Sequence, residues 1–285
     1  MHAIRSTIAA AALACGLAAA PALAQDGTPA ADPMIKETVT LGAGAVYLPD
    51  YEGSNDYRVT AAPFAFGTVK GFAFTLLGNR LSVDLVPNTP GPTWDFQAGP
   101  IAVLNLDRSS RKQIDDDRVK ALGKRDTAIE VGGFVGIGKT GVITSDYDNL
   151  SVTLSYRHDV SGDHDSAIWQ PTVFYLTPLS TKAGAGLFAT AEHVGRGYGQ
   201  TYYTVTPLGS IASGLPAYNA GKGWKNWTLG ALGTYSLTGD LLGGWKLIGG
   251  GTYSRLRGEF ARSPIVSIAG KRSQWIGTVG VAYTF

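Results

Sequence analysis

The densest run of side chains able to do chemistry is Arg157-His158-Asp159-Val160-Ser161-Gly162-Asp163-His164-Asp165. Serine, histidine and aspartate so close together suggest acyl transfer, which needs a base in hydrogen-bond reach of a nucleophile and a third group to orient it. His158 and Asp159 fall on a stretch of strand character, where neighbours point to opposite faces, so they cannot serve directly as a pair. The residues after Asp159 read as a turn, and a solvated hairpin rich in turn formers accounts for them without catalysis. Two sets could hold a divalent cation: His158, Asp163, His164 and Asp165, and the run Asp115-Asp116-Asp117. The second is flanked by Arg111, Lys112, Arg118 and Lys120, a mixed-charge loop suited to lipopolysaccharide phosphates. No glycine loop stands between a strand and a helix as nucleotide binding requires, so no cofactor and no enzymatic role are expected.

The elements that would carry these residues are strands. In Trp275–Phe285, residues Trp275, Val279, Val281, Tyr283 and Phe285 share one face at period two, and Thr278, Gly280, Ala282 and Thr284 fill the other. An apolar face backed by small and polar groups suits a membrane β-barrel wall, lipid outside and water or packed side chains inside. Tyr283 and Phe285 also have the form of the terminal signal read by the bacterial barrel assembly machinery. The pattern recurs from residue 38, giving segments near 38–48, 58–67, 70–77, 79–86, 93–104, 126–138, 149–159, 166–176, 184–193, 225–237, 244–256 and 273–285. Twelve strands follow, with ten as the alternative count if the short pair 70–77 and 79–86 fails; Tyr198–Pro207 could add another. An even count puts both termini in the periplasm and sends the long connections, 105–125, 194–224 and 257–272 among them, outside. The turns 87–92, 139–148, 177–183 and 238–243 then face the periplasm.

Glu130 and Arg157 sit opposite the apolar stripes of their strands. A charge facing lipid near the midplane costs ~2–4 kcal/mol, so both are expected in the lumen. Trp227 and Tyr235, Trp245 and Tyr253, and Trp275 and Tyr283 are each eight residues apart. At ~3.3 Å per residue and ~40° tilt this spans roughly 20 Å, close to the separation of the two aromatic girdles of such barrels.

Composition agrees. Charged residues are 16% of the chain and glycines number 38 of 285. No segment after the first 24 residues has the ~20 apolar residues of a spanning helix. Arg5, the Ala-rich stretch Thr7–Ala20 and Ala22-Leu23-Ala24 read as a signal peptide over 1–24 that carries away Cys15, the single cysteine. Residues 25–37 read as a flexible periplasmic leader, and 38–285 as the barrel. A formal net charge of +2 leaves no polybasic surface for nucleic acid.

Four ordered blocks resemble the MipA/OmpV outer-membrane proteins. The first is Leu41–Arg58 with its core Pro49-Asp50-Tyr51-Glu52-Gly53-Ser54; the others are Gly195–Thr206, Ala212–Tyr218, and Tyr253–Gly258 leading to Ser263-Pro264-Ile265-Val266. The resemblance implies a bacterial outer-membrane scaffold that meets a murein lytic transglycosylase and links it to a penicillin-binding synthase. Porin-like members supply the second reading, a solute or drug channel; a hydrolase at the rim is the third. Asp50–Ser54 reads either as a ligand or partner site or, preferably, as a loop folded over the barrel mouth. The segment 194–224 reads as a lumen plug or a lid. Outer-membrane lipid and lipopolysaccharide are the expected surroundings.

Overall fold

The computed structural model describes residues 37–87 and 93–285; the signal segment, nearly all of the leader and most of the 87–92 turn lie outside them. Twelve antiparallel strands close into one barrel: β1 (Thr38–Pro49), β2 (Tyr57–Val69), β3 (Phe72–Leu77), β4 (Arg80–Asp84), β5 (Trp94–Asn105), β6 (Ala128–Thr140), β7 (Asn149–Asp159), β8 (Ala167–Pro178), β9 (Ala183–Val194), β10 (Gly223–Ser236), β11 (Gly244–Leu256) and β12 (Ser273–Thr284). The short pair β3 and β4 exists, so the expected count of twelve stands and the alternative of ten falls away. Every strand pairs with its chain neighbours, and β12 closes on β1 from Thr40↔Thr284 to Tyr47↔Gly277. No helix among the described residues is long and apolar enough to cross a membrane.

Alternation decides the faces. Leu229, Leu247, Val279, Val281, Leu187 and Val135 stand exposed on the outside, as lipid requires and water would forbid over so wide a belt. At the long-loop end Trp227, Tyr253 and Trp275 form a row, with ring centroids 5.5 and 4.8 Å apart. At the other end Trp245, Tyr283 and Phe285 form a second, at 5.3 and 4.8 Å, with Tyr235 exposed on the same face.

The inner face carries small residues because large ones lie across them. Gly42 pairs with Phe64 and Gly230 with Phe188. A Cβ on either glycine would fall 2.2 Å from the partner's ring. Phe174 and Phe188 pack with Leu176, with Leu232 and with Leu77 of β3, which reaches them from across the lumen. An apolar layer therefore crosses the middle of the barrel. Gly230→Val is expected to lower stability by about 1–3 kcal/mol through overpacking. Gly277→Val, on the lipid face with nothing within 4 Å, is expected to be neutral. Midpoints of heat-modifiable gel mobility compare the two; equal midpoints would refute the packing account.

The polar segment Tyr198–Pro207 is not a strand. The connections at the long-loop end fold inward as short helices: α1 (Asp117–Ala121), α2 (Arg196–Tyr203), α3 (Pro207–Ser213), α4 (Gly258–Arg262) and α5 (Pro264–Ser267). Ser263-Pro264 opens α5 with proline at its first turn, where a missing N–H costs nothing. The Ser263 hydroxyl donates to the Tyr203 carbonyl at 2.6 Å. Tyr198, Tyr202, Tyr203, Phe260 and Val266 form one buried cluster of this dome, and Tyr51, Ile114, Val119, Leu215 and Ile265 the other.

Candidate functional site

Beneath the dome lies a cavity of about 200 Å³, lined by polar and charged side chains from the wall and the loops. Its frame is a chain of ion pairs across five consecutive strands. Glu130 on β6 meets Arg157 on β7 at 2.6 Å, and Arg157 meets Glu192 on β9 at 2.5 Å. Glu192 meets Lys225 on β10 at 2.6 Å. Between β7 and β9, the Gln170 amide oxygen on β8 accepts from Arg157 at 2.7 Å and from Arg80 on β4 at 2.8 Å. Glu130, Arg157, Glu192 and Lys225 are all buried, so only complete pairing makes their charges tolerable. Arg157 commits its planar fork to three acceptors, a geometry that lysine cannot copy.

The ion chain reaches the dome through Asp50–Ser54. Glu52 accepts from Lys225 at 2.9 Å, from the Tyr198 hydroxyl at 3.1 Å and from Asn226 at 3.2 Å. The Lys225 ammonium also sits 4.7 Å above the Tyr198 ring. The Tyr51 hydroxyl donates to the Ala269 carbonyl at 3.0 Å, and burial pushes its pKa up. Gly53 adopts φ +104°, and a Cβ there would lie 2.6 Å from Val266, so both conformation and space call for glycine. Ser54 bridges Gly270, and its carbonyl accepts from Gln274. Asp50 accepts from the Asp115 amide at 3.1 Å and faces Arg58 at 4.0 Å; burial raises its pKa. The five motif residues thus tie three loops and the wall together.

Asp107 accepts from the Glu52 amide at 2.8 Å, and burial, with Glu52 nearby, raises its pKa to about 6. A raised acid pKa favours the protonated form in the fold. This contribution is full below about pH 4 and lost as pH rises through about 6. Asp107→Asn keeps the acceptor oxygen and loses the charge. It is expected to stabilise the dome by about 1–2 kcal/mol at pH 7 and by nothing at pH 4, read as the difference in unfolding midpoint from the unaltered chain. A pH-independent difference would contradict this.

The serine–histidine cluster does not assemble. The Ser161 hydroxyl donates to Asp159 at 2.6 Å, while His158 Nδ1 lies 2.8 Å from the Asp159 carbonyl. His164 is buried against the Tyr198 and Tyr202 rings, its Nε2 3.3 Å from Glu130. The Asp159 carboxylate gathers the amides of Ser161, His164 and Asp165. Neither histidine meets the serine hydroxyl, and among the described residues no three His, Cys, Asp or Glu side chains converge as a metal site. Asp116 caps α1 through the Arg118 and Val119 amides.

Sequence reasoning singled out Glu130 and Arg157, and the structure brings them together. It passed over Glu192, which carries the same signal on β9, a charge in phase with the inner face. Lys225 gave no such signal. The register shifts between Trp224 and Asn226, a bulge that turns both Lys225 and Asn226 inward where strict alternation allows only one.

A family profile described as MltA-interacting protein MipA matches residues 41–285. No curated protein matches the chain. Among solved structures, a Pseudomonas aeruginosa FadL homologue matches at 10% identity and TM-score 0.36, over 88% of this chain and 90% of that one. An anion-selective porin from Comamonas acidovorans matches at 12% and 0.31, over 88% and 99%. The Pseudomonas putida toluene transporter TodX matches at 10% and 0.35, over 87% and 89%.

Proposed function

The chain belongs to the MipA family and is an outer-membrane β-barrel, and from that premise we propose that it is a closed scaffold of the murein-turnover machinery, not a conduit. The observation that carries this reading is a lumen filled at two levels, by the tyrosine-rich dome and by the Phe174–Phe188–Leu77 layer. On this reading a barrel filled at both levels has its surfaces to offer. The periplasmic rim suits docking, since Ile143, Leu179 and Leu237 stand exposed on three neighbouring turns. The partner on this reading is a lytic transglycosylase, as the family's description names one, with a penicillin-binding synthase beyond it. Lipopolysaccharide would meet the mixed-charge loop around Asp115–Asp117, and the assembly machinery would read Tyr283 and Phe285.

A photo-crosslinking residue placed at Ile143 or Leu179 in cells tests the scaffold. Adducts with a lytic transglycosylase are the expected result; adducts with lipid alone at both positions would defeat it. The channel reading draws on the polar cavity under the dome and requires steady single-channel steps in planar bilayers. The scaffold reading expects none.

A further inference from the structure

A second cavity, about 110 Å³, lies at the periplasmic end of the lumen, below the phenylalanine layer. Its walls are apolar: Phe66, Leu176, Leu232, Leu241, Leu242 and Ile248 line it. Into this lining comes one charge, Lys246 on β11, whose residue is only 4% exposed. The ammonium donates to the Leu241 carbonyl at 2.6 Å and to the Thr284 hydroxyl. The Thr284 hydroxyl is itself shared with Thr40 at 2.7 Å.

Both partners of Lys246 are neutral. Among the described residues no carboxylate lies within ion-pairing distance of it, whereas Arg157 and Lys225, equally buried, each have two. The nearby acid, Asp240, is exposed on its turn and engaged with the Leu242 amide at 2.8 Å. An ammonium has three donors, so one N–H of Lys246 remains for a further acceptor. A second polar atom is also unused. The Thr234 side chain lines the same cavity, and its hydroxyl is buried with no hydrogen-bond partner. A buried charge without a counter-ion is costly, and an orphan hydroxyl beside it adds to that cost. An anion between them would relieve both.

The geometry points to a binding site here for a small apolar monocarboxylate, its carboxylate on Lys246 and Thr234 and its hydrocarbon against the leucines. Size limits the body. A cavity of about 150 Å³ accommodates benzene, so this smaller one takes a short alkyl chain and no ring. A dianion or a polyol would leave polar groups against Leu232 and Ile248. The ligand enters from the periplasmic end, on the side of the cavity away from the phenylalanine layer.

Carboxyl-labelled hexanoate, titrated into the detergent-solubilised barrel and followed by carbon NMR, tests the assignment. Saturable binding is expected, about tenfold or more tighter than for hexanol, as a charged hydrogen bond should give. Lys246→Met should lose that advantage while still binding hexanol. Gly184→Leu keeps Lys246 but fills the pocket, since a Cβ there lies 3.4 Å from Thr234 Cγ2 and 3.8 Å from Leu241 Cδ1; it should lose acid and alcohol alike. Heat-modifiable mobility checks that each variant is folded. Palmitate is too long for the cavity and should not compete with hexanoate; competition would overturn the size limit. Equal binding of acids and alcohols, an unchanged affinity in Lys246→Met, or no binding at all would overturn the site.

Discussion

Arg157→Met is expected to destabilise the barrel by about 3–5 kcal/mol, the largest effect of any single substitution in the wall. The loss comes less from the missing attraction than from what stays behind. Glu130 is 1% exposed and Glu192 9%, and removing their shared cation leaves two carboxylates short of a partner in a water-poor interior. Glu130 keeps Asn105 at 3.0 Å and His164, and Glu192 keeps Lys225, so the penalty is large without being the full cost of two bare charges. The triple variant Glu130→Gln, Arg157→Met, Glu192→Gln is expected to recover at least half of it, since neutral side chains carry no uncompensated charge. Unfolding in urea, followed by gel mobility, measures all three proteins. A single-variant loss below about 1 kcal/mol, or a triple variant worse than the single, would show that the pairs do not act as argued.

The second large effect is on conduction. Two barriers stand in series along the lumen, so removing either is expected to leave the barrel closed. Replacing residues 196–222 by a short Gly/Ser linker takes away Tyr198, Tyr202, Tyr203 and Ala220 from one dome cluster and Val205 and Leu215 from the other. Phe188→Ala opens the middle layer by removing a ring that packs on Phe174 and lies over Gly230. The expected result in planar bilayers is silence from the unaltered chain and from either variant, and stable steps from the two combined. Conduction by the dome deletion alone would mean that the phenylalanine layer is no barrier. Silence from the combination would mean that a further obstruction lies below it. Steps from the unaltered protein would remove the main support for a scaffold and favour a channel.

Much of the wall was legible before any coordinates. Lipid imposes a strict rule on one face of every strand, and Trp275, Val279, Val281 and Tyr283 obey it, so period two located the strands to within a few residues. The same rule told where Glu130 and Arg157 point. The dome was less legible for a physical reason: loops answer to no period. Arg196–Tyr203 carries three tyrosines within eight residues, and their burial depends on Leu256, α4 and α5, all remote in sequence. Asp50–Ser54 stood out as a motif, but its partners Asp107, Tyr198, Lys225 and Ala269 could not be named from it. Lys225 was hidden twice, by a bulge that breaks the alternation and by a loop glutamate as its partner. The catalytic look of Ser161 and His164 dissolved because Asp159 binds the turn's amides and Glu130 holds the histidine.

The ion chain has a mechanical side. From Glu130 on β6 it runs along the wall to Lys225 on β10, then leaves the wall through Glu52, whose loop joins β1 to β2 on the other flank of the barrel. A hollow cylinder squeezed by lateral pressure flattens into an ellipse, and hydrogen bonds between neighbouring strands resist that deformation only weakly. A strut across the diameter resists it directly. On the scaffold reading proposed above, partners pulling on the barrel would draw it out of round, and this cross-brace would resist that strain at the dome end.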